Sequence, residues 1–170
     1  AWLQISRLGV TPTIAIGCDH AAFALKDHLA QVLRAAGHAV LDMGTHGEAR
    51  VDYPDYAHAV CAAVEDGRAQ RGVLVCGSGV GMSIAANKFS GVYAARCLTV
   101  EDATMARQIN NCNVLCLALR SGRDVNAEII TAFMTTGIAP TVPASPAPFA
   151  PSGLKRVGTG LDFISMLHMV

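Results

Sequence analysis

The sequence predicts a doubly wound α/β domain, a Rossmann-like three-layer α/β/α sandwich around a parallel sheet of about five strands. Three observations carry that expectation. Runs such as TIAIG, GVLV and NVLCLAL are apolar throughout, the pattern of strands covered on both faces. Segments of helical periodicity separate them, as crossovers between parallel strands require. The 170 residues are 52% hydrophobic and 15% charged, enough for one domain to enclose a core.

TIAIG (13–17) opens the sheet. Ala22, Leu25, Leu29, Val32, Leu33 and Ala36 then recur at helical spacing, which puts Lys26, Gln31 and Arg34 on the outer side. Gly37 ends that helix where a left-handed residue is favoured. HAVLD (38–42) is the second strand. After a polar loop, Pro54 suits the first turn of a helix, where its missing N–H costs nothing. Tyr56, Ala59, Val60, Ala63 and Val64 form the buried face of that helix. Strand three covers 72–75, helix three 78–88, and VYAAR (92–96) is strand four. Thr99 with Asp102 makes a capping box for the next helix. Strand five covers 113–119, and Val125, Ile129 and Phe133 mark a last long helix. The domain therefore spans 13–138. Residues 1–12 form an extension without clear period. Residues 139–170 hold a proline-rich arm, with five of the seven prolines between 140 and 151, and an apolar end suited to a subunit interface.

Composition excludes several functions. Lys+Arg equals Asp+Glu and no basic run occurs, which argues against nucleic-acid or anionic-membrane partners. The long uncharged run 72–87 is too rich in Gly and Ser, and too short, to cross a bilayer. Six cysteines occur without a CxxC pair or a recognisable secretory leader, and most lie in apolar runs, so reduced thiols in a cytoplasmic protein are expected. No two pairs of closely spaced Cys/His ligands occur, so no metal is expected.

The most informative stretch is VLVCGSGVGMSIAANK. A dinucleotide fingerprint needs its third glycine one residue later, where Met82 stands. A Walker loop is absent, and a cysteine phosphatase loop would want an arginine near Met82 and Ser83. What remains is an anion-holding cradle: main-chain N–H groups of Gly77, Ser78, Gly79, Val80 and Gly81 at a helix start, with Cys76 at its entry. That field favours a thiolate.

Together with IAIGCDHAAFALK and VDYPDYA, this stretch closely resembles the type B ribose-5-phosphate isomerases, a family that includes the galactose-6-phosphate isomerase subunits. The resemblance runs from about residue 13 to 120. It implies an aldose–ketose isomerase of phosphorylated sugars that needs no cofactor, with ribose 5-phosphate as the default substrate. Cys76 is then the base that moves a proton between C1 and C2, with the Ser78 hydroxyl and the loop N–H groups holding the enediolate oxygen. Asp19 and His20 match substrate contacts, Tyr53 a residue lining the sugar site, Asn110 a sugar-hydroxyl contact and Arg120 a phosphate-binding arginine. The glutamate that serves some relatives as base is Met82 here. A dimer with sites shared across its interface is also implied, homomeric or heteromeric.

Two departures stand out. Where the family carries a ring-opening histidine, this chain reads RQIN, with Ile109. Where it carries two more phosphate arginines, only Lys155 and Arg156 echo them. Three accounts of Ile109 stand side by side: a tetrose 4-phosphate substrate that cannot close a furanose, a second subunit that supplies the group, or ring opening by Asp19 or water. A non-catalytic sugar-phosphate sensor built on the same cradle is the alternative of a different class.

Overall fold

The computed structural model describes residues 11–140. The expectations for the first ten residues, for the arm and apolar end, and for Lys155 and Arg156 lie outside the described residues. In chain order the elements are β1 (Ile14–Cys18), a 3-10 turn (His20–Ala22), α1 (Phe23–Ala35), β2 (Val40–Asp42), α2 (Tyr53–Glu65) and β3 (Arg71–Cys76). Then follow α3 (Val80–Ala86), β4 (Ala94–Arg96), α4 (Val100–Gln108), β5 (Val114–Ala118), a second 3-10 turn (Leu119–Ser121) and α5 (Arg123–Thr135).

The sheet has five strands in the order β2-β1-β3-β5-β4, and every pairing is parallel. From β1 the chain goes to β2 on one side and later to β3 on the other, so the winding reverses between β1 and β3. In open sheets of this kind the ligand crevice lies outside the carboxyl ends of the strands at that reversal.

Side chains alternate across the sheet with the two-residue period of a strand. Val73 and Val75 face a layer holding Leu29, Ile129 and Phe133, while Leu74 and Cys76 face one holding Val60 and Met82. Each large apolar side chain buried in these layers contributes about 1.5–3 kcal/mol. The helix ends follow local chemistry. Thr99 and Asp102 form the reciprocal capping box at α4, and Gly37 turns the chain after α1 at a φ of 87°.

Several expectations need correction. Lys26 does not lie on the outer side of α1; it is fully buried, because Asp42 and the Thr45 carbonyl receive its ammonium. Strand β3 runs from Arg71 to Cys76, so Cys76 is its last residue rather than part of the turn. Val125 is 42% exposed and lies off the packed face of α5. Asn110, which the resemblance makes a sugar-hydroxyl contact, does not stand with the strand-end loops. Helix α4 runs back from the end of β4, so Ile109 and Asn110 lie at the amino edge of the sheet instead.

Candidate active site

Three strand ends meet at the carboxyl edge of the sheet. Cys76 closes β3 and is only 6% exposed. The chain then turns through Gly77 and Ser78 to Gly79, which caps α3 at a φ of 76°. The Gly79 N–H donates to Cys76 Sγ at 3.2 Å, and the Val80 N–H donates to Ser78 Oγ at 3.3 Å. Two of the five expected cradle donors are therefore aimed inward, at the thiol and the hydroxyl. A side chain at position 79 is barred by its left-handed φ and by Leu117 O and Arg96 Cγ, 3.2 and 3.3 Å from where a Cβ would stand.

Tyr53, the first residue of α2, covers the start of α3. A Cβ at Gly81 would lie 2.8 Å from Tyr53 Cζ, so the ring rests directly on that glycine. Burial, and then the charge of a Cys76 thiolate, push the phenol above its ordinary range. Tyr53 is thus a neutral neighbour of the sulfur.

The end of β1 joins the same edge. The Asp19 N–H donates to Val75 O at 3.3 Å, tying it to β3, and Asp19 Oδ1 accepts from the Ala22 N–H at 3.1 Å. His20 Nδ1 sits 3.3 Å from both the N–H and the carbonyl of Val51, so either neutral tautomer is held at the turn. Arg120 enters from the turn after β5. Its N–H donates to Gly77 O at 3.4 Å, and its side chain is exposed.

Asn110 is not brought to this edge. It lies with Asn87, Tyr93, Ala94, Ala95 and Cys112 around a separate open hollow of about 490 Å³ at the other end of the sheet. Ile109 beside it is 52% exposed.

Sequence reasoning missed two residues that organise the edge. Arg96 ends β4, and its Nε donates to Ser78 O at 2.6 Å. A charged residue closing the apolar strand YAAR, at the carboxyl edge of the sheet, was the available signal. Lys26 donates to Asp42 Oδ1 and Oδ2 at 2.8 and 2.7 Å and to Thr45 O at 2.9 Å. The loop it holds grips β1, with the Cys18 N–H donating to Gly44 O and the Thr45 N–H to Cys18 O.

The six cysteines are all free and buried. Burial pushes Cys18 up to about 11 and Cys61 and Cys97 up to about 12. Among the described residues no group of three or more His, Cys, Asp or Glu is placed to hold a metal, and no helix is long and apolar enough to cross a membrane.

Fold and edge together define a doubly wound α/β protein whose candidate site residues gather where β1, β3 and β5 end, the edge at which open sheets of this kind bind small molecules. A family model described as ribose/galactose isomerase matches residues 14–142. Ribose-5-phosphate isomerase B of Escherichia coli is 43% identical over 122 residues, covering 71% of this chain and 82% of that protein. D-erythrulose-4-phosphate isomerase of Pectobacterium atrosepticum is 42% identical over 125 residues, covering 72% and 82%. The solved type B ribose 5-phosphate isomerase of Trypanosoma brucei superposes with a TM-score of 0.75 at 46% identity, covering 77% of this chain and 90% of that one. The chain belongs to the ribose/galactose isomerase family, and it is a sugar-phosphate isomerase of the aldose–ketose kind.

Proposed function

We propose that this chain interconverts an aldose phosphate and its ketose through an enediolate, with Cys76 as the base and ribose 5-phosphate as the default substrate. The observation that carries the reading is the Gly79 N–H pointing at Cys76 Sγ from 3.2 Å at the carboxyl edge of the sheet. An N–H donor to a thiolate stabilises the charged, proton-accepting form.

The steps balance. The thiolate takes the proton from C2 of the open-chain aldose; the C–H electron pair becomes the C1–C2 double bond, and the carbonyl pair moves onto O1. The thiol then returns a proton to C1 while O2 gives up its proton and becomes the ketose carbonyl. The net change moves one hydrogen from C2 to C1 and one proton from O2 to O1. The developing oxyanion needs fixed donors. The Ser78 hydroxyl and the N–H groups of Gly77 and Gly81 fill that role in this reading, while those of Gly79 and Val80 organise the sulfur and the hydroxyl. Asp19 and His20 border the sugar, Tyr53 walls it, and Arg120 takes the phosphate. Metal and organic cofactors have no part in these steps. Asn110 and Ile109 lie at the amino edge, so they enter a crevice only from a second copy of the chain or from a related subunit. A dimer, identical or mixed, is therefore part of the proposal.

Ile109 favours one second reading. Isoleucine cannot pass a proton to a ring oxygen, whereas a tetrose 4-phosphate has no ring to open, because the oxygen that would close it carries the phosphate. Turnover of ribose 5-phosphate, erythrose 4-phosphate and galactose 6-phosphate in D2O, with deuterium followed at C1 and C2, tests both readings. Cys76→Ala should lower turnover roughly 10²–10⁴-fold, the usual cost of a lost positioned base. Near-normal turnover in that variant removes Cys76 from the mechanism. Saturable binding of one of these sugars without isotope exchange removes that sugar as the substrate.

A further inference from the structure

Arg96 and Cys76 grip opposite ends of one peptide unit. Ser78 O and the Gly79 N–H belong to the same amide. Arg96 Nε donates to that oxygen at 2.6 Å, and the amide's N–H donates to Cys76 Sγ at 3.2 Å. From the guanidinium, through the amide, to the sulfur, every donor points the same way. Hydrogen bonds in such a chain polarise one another, and each strengthens the next. The contact is also built rather than incidental. Arg96 is half-buried, and its stem lies over Gly79 with Cγ 3.3 Å from where a Cβ would stand.

We propose that Arg96 is a positioning residue for Cys76. It orients and polarises the Ser78–Gly79 peptide so that its N–H stabilises the thiolate, and it makes no contact with substrate in doing so. The proposal rests on Cys76 as the base for its effect on turnover, but its effect on the sulfur is independent of catalysis.

Other groups face the sulfur from the elements around it. Tyr53 comes from α2 and Cys116 from β5, both electrostatically coupled to Cys76. Asp19 and His20 follow β1 and Arg120 follows β5 at the same edge. On the far side of Arg96 lies Asp102 of α4, already held in the capping box. Arg96 is the cation among them that reaches the sulfur through a hydrogen-bonded amide.

Two variants separate the effects. Arg96→Met removes both donor and charge. Arg96→Gln sets an amide nitrogen at the reach of Nε, keeping a donor without the charge. The probe is iodoacetamide, with the modified cysteine identified by peptide mass and Cys76→Ser as the blank. The rate of Cys76 alkylation is followed against pH in the full chain.

In Arg96→Met the midpoint of that profile should move up by about half a pH unit or more, with a smaller move in Arg96→Gln. At a pH below the midpoint, half a unit is about a threefold loss of thiolate. kcat should fall by a similar factor while KM stays near that of the parent chain. A profile in Arg96→Met that coincides with the parent's overturns the proposal, whatever happens to turnover. Should Arg96→Met fail to fold, the profile of Arg96→Gln decides by the same criterion. A shifted profile with unchanged turnover keeps the coupling and removes Cys76 as the base, so the two failures are told apart.

Discussion

Lys26→Met tests whether a buried charge, rather than apolar packing, presses the loop after β2 against the end of β1. The Lys26 side chain is fully buried, and Nζ meets both Asp42 oxygens at 2.8 and 2.7 Å and Thr45 O at 2.9 Å. Methionine fills most of the stem's volume. It leaves the Thr45 carbonyl without this donor and the Asp42 carboxylate without its counter-charge. Removing one partner of a buried ion pair costs about 3–5 kcal/mol. The Asp42 side chain is 24% exposed, so water recovers part of that loss; about 2–4 kcal/mol is the expected cost at neutral pH. Asp27, 3.2 Å from Nζ but 45% exposed, adds little.

The pH dependence gives the sign. Burial raises the Asp42 pKa, but hydrogen bonds from Lys26 and the Gly44 N–H outweigh it and hold the folded value below the ordinary carboxylate range. A carboxylate with a depressed folded pKa stabilises fully above its unfolded value, near pH ~4, and loses that contribution as pH falls through the folded value. Urea unfolding from neutral pH down to about pH 2 reads both quantities. The gap between the parent chain and Lys26→Met should be widest at neutral pH and narrow with acid. A gap that is constant with pH, or below about 1 kcal/mol at pH 7, refutes the ion-pair account.

Two further substitutions probe the crevice and its substrate. Gly81→Ala puts a Cβ 2.8 Å from Tyr53 Cζ; it should cost about 1–3 kcal/mol of overpacking despite the better helix propensity of alanine, and slow turnover. The stability cost should vanish when Tyr53→Ala is combined with it, measured as a double-mutant cycle; a cost that persists places the clash elsewhere. Ile109→His should raise turnover of ribose 5-phosphate and leave that of a tetrose 4-phosphate unchanged, in parallel coupled assays. An equal response of the two sugars shows that ring opening was not the limitation.

What the sequence made legible is what depends on neighbours along the chain. Apolar runs marked every strand, and the Thr99–Asp102 box was readable because its two members stand three residues apart. The parallel sheet followed from the alternation of strands with helices. Buried cations were not legible. Helical spacing puts Lys26 on the outer face of α1 and the apolar run starts β3 after Arg71, because a charge in sequence reads as surface. Each is buried by partners far along the chain: Asp42 for Lys26, and the Phe133 and Met134 carbonyls for Arg71, at 2.6 and 3.0 Å. That Asp19, His20 and Cys76 stand at strand ends was readable for the same local reason as the strands. The strand-end place of Arg96 was readable too, but its partnership with Ser78, on another loop, was not.

These basic side chains share a way of acting. Lys26 donates to Thr45 O, Arg71 to Phe133 O near the end of α5, Arg107 to the Cys112 carbonyl, and Arg96 to Ser78 O. A carbonyl held by a cation fixes its peptide plane, and with it the direction of the N–H on the other side of that plane. At Ser78 that N–H belongs to Gly79 and points at the sulfur. The loop at Thr45 answers the same way at one remove, since the Thr45 N–H donates to Cys18 O just before Asp19. At the carboxyl edge Lys26 and Arg96 thus set charges behind the main chain of the candidate site, while Arg71 and Arg107 do so at the amino edge. Substitution behind the loop should therefore change the state of the thiol before it changes affinity for the sugar, the opposite of what losing Arg120 from the open edge would do.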